Sequence, residues 1–408
     1  MSHSTSAGGD PPRIGGTVRA LGAVSFLADV SSEMVYAANP ALLTRVLGAA
    51  PWAVGVIEGI AESTASLLRL YAGWLSDRIG RRKPLTLAGY GLGAVSKPLI
   101  GLATGWGGVL VGRFLDRAGK GLRSAPRDAL IAESCSPEVR GRAFGLHRGM
   151  DTAGAVLGPL IGYAFLSWRP GALRDLYLLA FAPGALAVAV LAIWVRERRR
   201  PDKITAPSPP LPSFRGLSSA YRRYLIALAV FSIGNSSDAF LVLRAQDVLS
   251  SGVGGAPGDG AVRMSLLLYA AFNVVEAVLG YPAGALSDRV GRRPLLIAGL
   301  MVFSLVYLGF ALASSPWHVW GLFLLYGAYY TMTGGTQRAY AADLADPERR
   351  ATDLGAYHFV VGALALPASL IAGFLYGRHA AAPFALGAIC AGLTAAMLAW
   401  TVGADRRS

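Results

Sequence analysis

Charged side chains are scarce in this chain. Asp, Glu, Lys and Arg make up 15% of its 408 residues, against about 25% in soluble globular domains. So few groups that need water argue against a single soluble core. Cysteine is nearly absent as well. The two present, Cys135 and Cys390, lie far apart in the sequence and provide neither a disulfide framework nor metal-ligand spacing. Methionine and histidine are few and scattered, with only His147 and Met150 close together, so no soft-metal site is expected. No G-x-x-x-x-G-K-[ST] stretch occurs, which removes the phosphate-cradling loop of ATP-driven machines. Neither a nucleophile motif nor a ligand cluster points to an enzyme, and no cofactor is expected.

What the chain has instead is apolar residues, 53% by count, gathered in runs such as Leu176–Val195 and Leu296–Leu312. Each run has the roughly 17 to 25 residues that a helix needs to cross the hydrocarbon layer. Helices with every backbone hydrogen bond made internally are what lipid permits. The pattern predicts an all-α integral membrane fold of about twelve spans, at 18–43, 51–76, 84–104, 107–131, 142–167, 174–195, 223–248, 262–286, 294–314, 316–341, 351–376 and 380–402.

The net charge of +14 does not indicate nucleic acid, because its placement follows the spans. Arg78, Arg81, Arg82 and Lys83, Arg196–Arg200, Arg289, Arg292 and Arg293, and Arg349 and Arg350 all fall in short turnarounds on one side. That is the positive-inside signal of cytoplasmic loops, and it places both termini in the cytosol and the chain in a plasma membrane, the inner membrane of a bacterium. Residues 1–16 are expected to be a disordered tail without the order of a signal peptide. Two six-helix bundles follow at 17–195 and 223–402, joined by a Pro-rich basic linker at 196–222, with a short tail at 403–408.

The halves are related by an internal repeat. Gly73-Trp74-Leu75-Ser76-Asp77-Arg78-Ile79-Gly80-Arg81-Arg82-Lys83-Pro84 reappears as Gly284-Ala285-Leu286-Ser287-Asp288-Arg289-Val290-Gly291-Arg292-Arg293-Pro294. Glu133 corresponds to Asp343, Pro137 to Pro347 and Gly145 to Gly355, and Ser31-Ser32-Glu33 parallels Ser236-Ser237-Asp238. A six-span unit repeated in parallel is a transporter architecture, with its site between the halves at mid-membrane depth.

The doubled G-x-L-x-D-R-x-G-R-R pattern resembles motif A of the major facilitator superfamily. Span four, from Arg113 through Asp116-Arg117 and Gly119 to Pro126 and Glu133, resembles its motif B, with Asp116-Arg117 where a Gln-Gly pair is commoner. In span five, Asp151, Gly154, Gly158-Pro159 and Gly162 are similar to its antiporter motif. The resemblance implies that Gly73 and Gly284 allow close helix approach. It also implies that Asp77 and Asp288 face a helix N-terminus of the opposite half, and that Arg81 pairs with Glu133 and Arg292 with Asp343, as a cytoplasmic latch. The plainer alternative is that these charges set orientation and anchor loops.

Ionisable residues inside spans are costly and mark function by default. Here Asp29 and Glu33 share a face of span one, Glu58, Glu62 and Arg69 a face of span two, and Arg113, Arg117, Lys120 and Arg127 a stripe of span four beside Asp116. Lys97, His147, Arg244 and Glu276 add to them. Most should be neutralised in pairs, such as Glu62 or Asp116 with Arg113 or Arg117, since an unpaired buried charge is expensive. The alternative is that one carboxylate takes up a proton, with Glu33, Asp29, Glu62 and Asp238 as candidates in that order. Solute contacts are expected from Asn39, Arg113, Arg117, Asn235, Asn273, Tyr326, Tyr330 and Gln337. Together these features imply a monomeric secondary transporter in the lipid bilayer, moving a small polar, charged or amphiphilic solute by alternating access. Protons are the expected coupling ion, and the antiporter-like motif favours export. The alternatives are a proton-coupled importer or a non-transporting sensor or scaffold on the same fold.

Overall fold

Three of the expected spans are interrupted, and each interruption has a local cause. The protein was analysed as a computed structural model that describes residues 15–197, 214–251, 258–347 and 349–405. Most of the linker and the outer parts of both tails lie outside these. Span 18–43 is helix α1 (Gly16–Tyr36), then a break at Ala37 and Ala38, a turn at Asn39–Ala41 and a π-helical stretch at Leu42–Val46. Pro40 has no N–H to offer the Tyr36 carbonyl one turn back. Span 223–248 is two helices, α7 (Ser219–Gly234) and α8 (Ala239–Ser251). They are separated by Asn-Ser-Ser-Asp, whose short side chains compete for backbone groups; the Ser237 hydroxyl accepts from the Ala239 N–H at 3.3 Å. Span 316–341 splits into α11 (Pro316–Thr333) and α12 (Thr336–Leu344) around Gly334 and Gly335, two residues that each cost a helix about 1 kcal/mol.

The other helices are α2 (Pro51–Ile79), α3 (Lys83–Gly101), α4 (Trp106–Glu133), α5 (Arg140–Trp168), α6 (Leu173–Trp194), α9 (Asp259–Val290), α10 (Arg292–Leu312), α13 (Arg350–Arg378) and α14 (Ala382–Asp405). No strand occurs among the described residues. Six stretches are long and apolar enough to cross a membrane on those grounds alone, and of these only Leu173–Trp194 belongs to the first half. The charges inside α2, α4 and α5 explain the difference. The end of α2 is set by Gly80, whose φ of 68° suits glycine and whose N–H reaches the carbonyls of Ser76 and Asp77.

The halves meet along two seams, α2 with α13 and α5 with α9. In the first seam, any side chain at Gly55 would collide with the Ser369 carbonyl, and Ser63 donates to the Gly362 carbonyl at 2.7 Å. In the second, the Asn273 amide donates to the Ala155 carbonyl at 2.9 Å. At the end remote from the basic loops the halves are sealed. Gln246 donates to the Ala37 carbonyl at 2.9 Å and to Ser265 at 3.0 Å, and Arg45 donates to the Gly258 carbonyl at 3.1 Å. At the basic end they separate around a cavity of about 1710 Å³.

Within the first half, the glycine stripe of α5 lies on α1. A Cβ at Gly158 would stand 2.9 Å from both the Met34 nitrogen and the Val30 carbonyl oxygen, neither of which can rotate away. Gly158→Ala is expected to destabilise the protein by about 1–3 kcal/mol, seen as a lower thermal midpoint in detergent. Gly145→Ala, inside the same helix with nothing within 4 Å, is expected to leave the midpoint level or slightly raised.

Candidate functional site

The centre of the molecule is a chain of ion pairs on α2, α3 and α4. Glu58 is fully buried at 0% exposure. Arg113 grips it with two bonds, Nε at 2.9 Å and Nη2 at 2.6 Å, the fork geometry that makes arginine–carboxylate pairs strong. Asn39, held beyond the α1 break, donates to the same carboxylate at 2.9 Å, and the Tyr177 hydroxyl donates to Asn39 at 3.0 Å. Ser237, in the α7–α8 break of the other half, donates to Glu58 at 3.4 Å. One turn along, Arg117 pairs with Glu62 at 3.2 Å. Asp116 takes Lys97 at 2.6 Å and lies 3.5 Å from Arg113. Of the pairs expected from sequence, Glu62–Arg117 forms, and Asp116–Arg113 forms at 3.5 Å. The principal partner of Arg113 is Glu58 rather than Glu62 or Asp116.

A second group lies between α1 and α5. Gly154, Gly158 and Gly162 bring the α5 backbone against α1, with Pro159 buried inside α5. Across this contact the carboxyl groups of Asp29 and Asp151 are in hydrogen-bonding contact, and Ser25 donates to Asp151 at 2.7 Å. Arg148 reaches Asp151 at 3.3 Å and, across the seam, Glu276 at 2.8 Å. Glu33 faces the Tyr269 hydroxyl, and one of its oxygens is buried without a hydrogen-bond partner.

The second half contributes rings. Asp238, at the α7–α8 break, accepts from the Tyr326 hydroxyl at 2.6 Å. Tyr326 stacks on Phe272 at 5.6 Å, and Phe272 meets Tyr330 edge-on at 5.7 Å. Tyr330 is 41% exposed and lines the open cavity with Arg69, Arg148, Glu276 and Arg338. Asn235 sits in the same break as Asp238. Of the expected solute contacts, only Tyr330 is among the residues lining the open cavity. Asn39 and Arg113 are buried and bound to Glu58, Asn273 is buried and spends its amide on the Ala155 carbonyl, and the Gln337 carbonyl accepts from Tyr224 at 2.9 Å.

The motif residues show one correction. Arg82, not Arg81, meets Glu133 at 2.9 Å, and it also meets Asp77 at 3.0 Å, while Arg81 is exposed. In the other half Arg292 meets Asp343 at 2.6 Å. The extra residue Lys83 is the reason: counted back from Pro84 and Pro294, Arg82 corresponds to Arg292. Nor do the two glycines make close helix contacts in this conformation. Gly73 has an ordinary 3.4 Å neighbour in Ala125, and Gly284 lines the open cavity with nothing near it, as does Asp288.

Comparison with known proteins agrees with this architecture. The family model of the Major Facilitator Superfamily matches residues 21–366. An uncharacterized MFS-type transporter of Methanocaldococcus jannaschii is 36% identical over 380 residues, 93% of each chain. The multidrug resistance protein MdtH of an Enterobacter strain is 28% identical over 78% of this chain and 76% of its own. Among solved structures, a nucleoside transporter NupG mutant superposes with a TM-score of 0.76 at 13% identity, covering 94% of this chain and 99% of that one. A bacterial homologue of the lysosomal transporter Spinster, solved inward-facing and occupied, gives 0.68 at 16% identity over 94% of each chain. The chain belongs to the major facilitator superfamily of transporters and is a multi-pass membrane protein.

Proposed function

We propose that the protein is a proton-coupled exporter of a small polar, charged or amphiphilic solute, built from twelve spans, with its basic end in the cytosol of a bacterial cell. The observation that carries this reading is the cavity of about 1710 Å³ at the basic end, walled by charged and aromatic groups of both halves. A solute in the cytosol reaches that cavity, and the sealed far end is where it leaves when the halves rock. Export is supported by the likeness to MdtH and by the α5 glycine motif.

Proton coupling is supported by carboxylates inside the spans that no ion pair holds. Glu33, Asp29 and Asp238 form no ion pair among the described residues, and the Asp29 carboxyl lies against that of Asp151 across the α1–α5 contact. Purified protein in proteoliposomes under an imposed pH gradient tests both parts. Solute is expected to move against the proton flux, and neutralising Glu33, Asp29, Glu62 or Asp238 one at a time is expected to abolish proton-linked movement in at least one case. Four variants that all keep it would end the coupling reading, and solute following protons inward would make the protein an importer.

The paired motifs act here as a latch for the opposite conformation, with Arg82 and Arg292 holding the acids in place. The Arg82 pairs are partly exposed, so their worth is about 0.5–1 kcal/mol. Arg82→Ala is expected to slow transport about two- to fivefold, and Arg81→Ala to leave it unchanged, in initial-rate measurements at matched protein levels.

A further inference from the structure

Two arginines, one from each half, line the open cavity with nothing to hold. Arg69 of α2 and Arg338 of α12 are both in its wall. Neither forms an ion pair or a side-chain hydrogen bond among the described residues, and the Arg69 Nε is buried without a partner. The acids near Arg69, Glu62 and Asp128, are already taken, Glu62 by Arg117 at 3.2 Å and Asp128 by Arg127 at 2.8 Å. Its strongest charged neighbour is Arg338 itself, so the two halves set like charges against each other. His358 of α13 stands near both arginines, with no acid beside it among the described residues. The other charges of the wall are accounted for. Arg148 holds Glu276 at 2.8 Å and Arg292 holds Asp343 at 2.6 Å, while Asp288 lies two residues before the Val290 end of α9, at the basic mouth. Orientation by basic loops does not explain Arg69, which lies ten residues before the Ile79 end of α2, about 15 Å inside it. A guanidinium at that depth is costly unless a group of opposite charge answers it.

We propose that Arg69 and Arg338 form a subsite between the halves for the anionic group, a carboxylate or a phosphate, of a solute dissolved in the cytosol. This rests on the transporter reading and narrows it to a substrate class. A guanidinium presents paired N–H donors that match both groups, and a cavity of about 1710 Å³ leaves room for the rest of the solute. Tyr330 and Thr336 add hydroxyls in the same cavity. Thr336 and Arg338 stand in the first turn of α12, the positive end of that helix. The arrangement also ties binding to motion. When the halves close at the basic end, the walls that carry Arg69 and Arg338 approach, and bare guanidiniums resist that approach. An anion between them turns repulsion into attraction. It therefore favours the closing state over the open one, the condition for a ligand to shift a conformational equilibrium. A cationic solute meets the opposite balance, and specificity follows from that repulsion as much as from attraction.

Phenyl phosphate and benzyltrimethylammonium carry the same ring and opposite charges, and they make the test. Binding of each is measured on the wild-type protein in phosphatidylcholine nanodiscs at equal ionic strength, with empty nanodiscs subtracted. The anion is expected to bind about fivefold more tightly than the cation, the preference that a partly exposed charge pair supplies. Arg338→Gln, at an exposed position, is expected to remove most of that preference, Arg338→Lys to keep part of it, and Arg69→Gln to remove it entirely. Arg81→Gln takes the same charge from the basic end outside the cavity wall and is expected to leave the preference unchanged. Equal binding of the two probes by wild type, an undiminished preference in Arg338→Gln, or an equal loss in Arg81→Gln would overturn the subsite. If Arg69→Gln proves unstable, Arg338→Gln decides alone. In discs that also contain phosphatidylglycerol the dissolved anion is expected to bind as before; its displacement there would assign the arginines to a lipid phosphate and overturn the solute. Transport in proteoliposomes is measured separately. Movement of solutes by a protein that binds both probes equally sinks the subsite and leaves the transporter intact, whereas anion preference without movement of any solute sinks the transporter reading and leaves the subsite.

Discussion

Glu58→Gln is expected to cost the fold about 3–5 kcal/mol, the loss typical when one partner of a buried ion pair is removed. Glu58 has no exposed surface at all. Its carboxylate takes two bonds from Arg113, one from Asn39 and one from Ser237. Glutamine keeps the volume and turns one acceptor into a donor, which faces the guanidinium and leaves its charge uncompensated. With total stabilities of about 5–15 kcal/mol, such a variant should express poorly and unfold well below wild type in a thermal scan. Arg113→Lys should fare little better, because an ammonium cannot reproduce the fork. The informative comparison is the double variant Glu58→Leu with Arg113→Leu. Asp116 retains Lys97 at 2.6 Å, so removing both charges together strands no charge; the Asn39 amide and the Ser237 hydroxyl lose their acceptor, at about 1–3 kcal/mol, and stability should return most of the way to wild type. If Glu58→Gln alone melts with the wild-type protein, the pair is not the centre of the first half.

The double variant separates stability from transport. It should fold and should still fail to move solute at normal rates, since the Ser237 contact to Glu58 is a link between the halves through polar groups at mid-depth. Active protein with both charges removed would assign the pair to architecture alone.

The helices and the repeat were legible in the sequence because both are local properties. Apolar runs of membrane length and a pattern of twelve residues that reappears in eleven need no knowledge of packing. The breaks in α1 and between α7 and α8 also had local signals, Pro40 and the Asn235–Asp238 run, but a hydropathy reading averages over them. The choice of partners was not legible. Glu58 and Glu62 are one turn apart on α2, and Arg113 and Arg117 one turn apart on α4. Which acid meets which base depends on how far the two helices slide along each other, and that is fixed by glycines such as Gly121 against the α2 backbone at Ala65. The Arg81 misassignment is different in kind. Counted from their first glycines, the motif copies put Arg81 opposite Arg292; counted back from the prolines at the start of α3 and α10, they absorb Lys83 and put Arg82 there. Nothing in the sequence singles out Arg148; its bond to Glu276 appears only once α5 and α9 are side by side.

Gln246→Glu is expected to open the sealed end. In wild type the Gln246 side chain, fully buried, donates to the Ala37 carbonyl that the α1 break leaves free, and also to Ser265. These bonds join α8, α9 and the first half at the point where an outward-facing conformation must part them. The amide oxygen of Gln246, however, has no partner, and an unsatisfied buried acceptor costs about 1–3 kcal/mol, roughly what the two donated bonds return at about 1 kcal/mol each. Gln246→Leu should therefore be nearly neutral. Glutamate is another matter, for it sets a carboxylate oxygen against a carbonyl oxygen and buries a charge with no cation to answer it. A penalty of only about 3 kcal/mol on the sealed form would shift the ratio of the two conformations by more than a hundredfold. The readout is labelling of a cysteine at Ala41, which is 0% exposed behind the seal, in a background with Cys135 and Cys390 replaced by serine. A membrane-impermeant maleimide applied from the far side should leave the wild-type and Gln246→Leu proteins unmodified and should modify Gln246→Glu. Equal labelling of all three would mean that the seal is held elsewhere, by the Arg45 bond to Gly258 or by the apolar packing of Leu42 and Leu43.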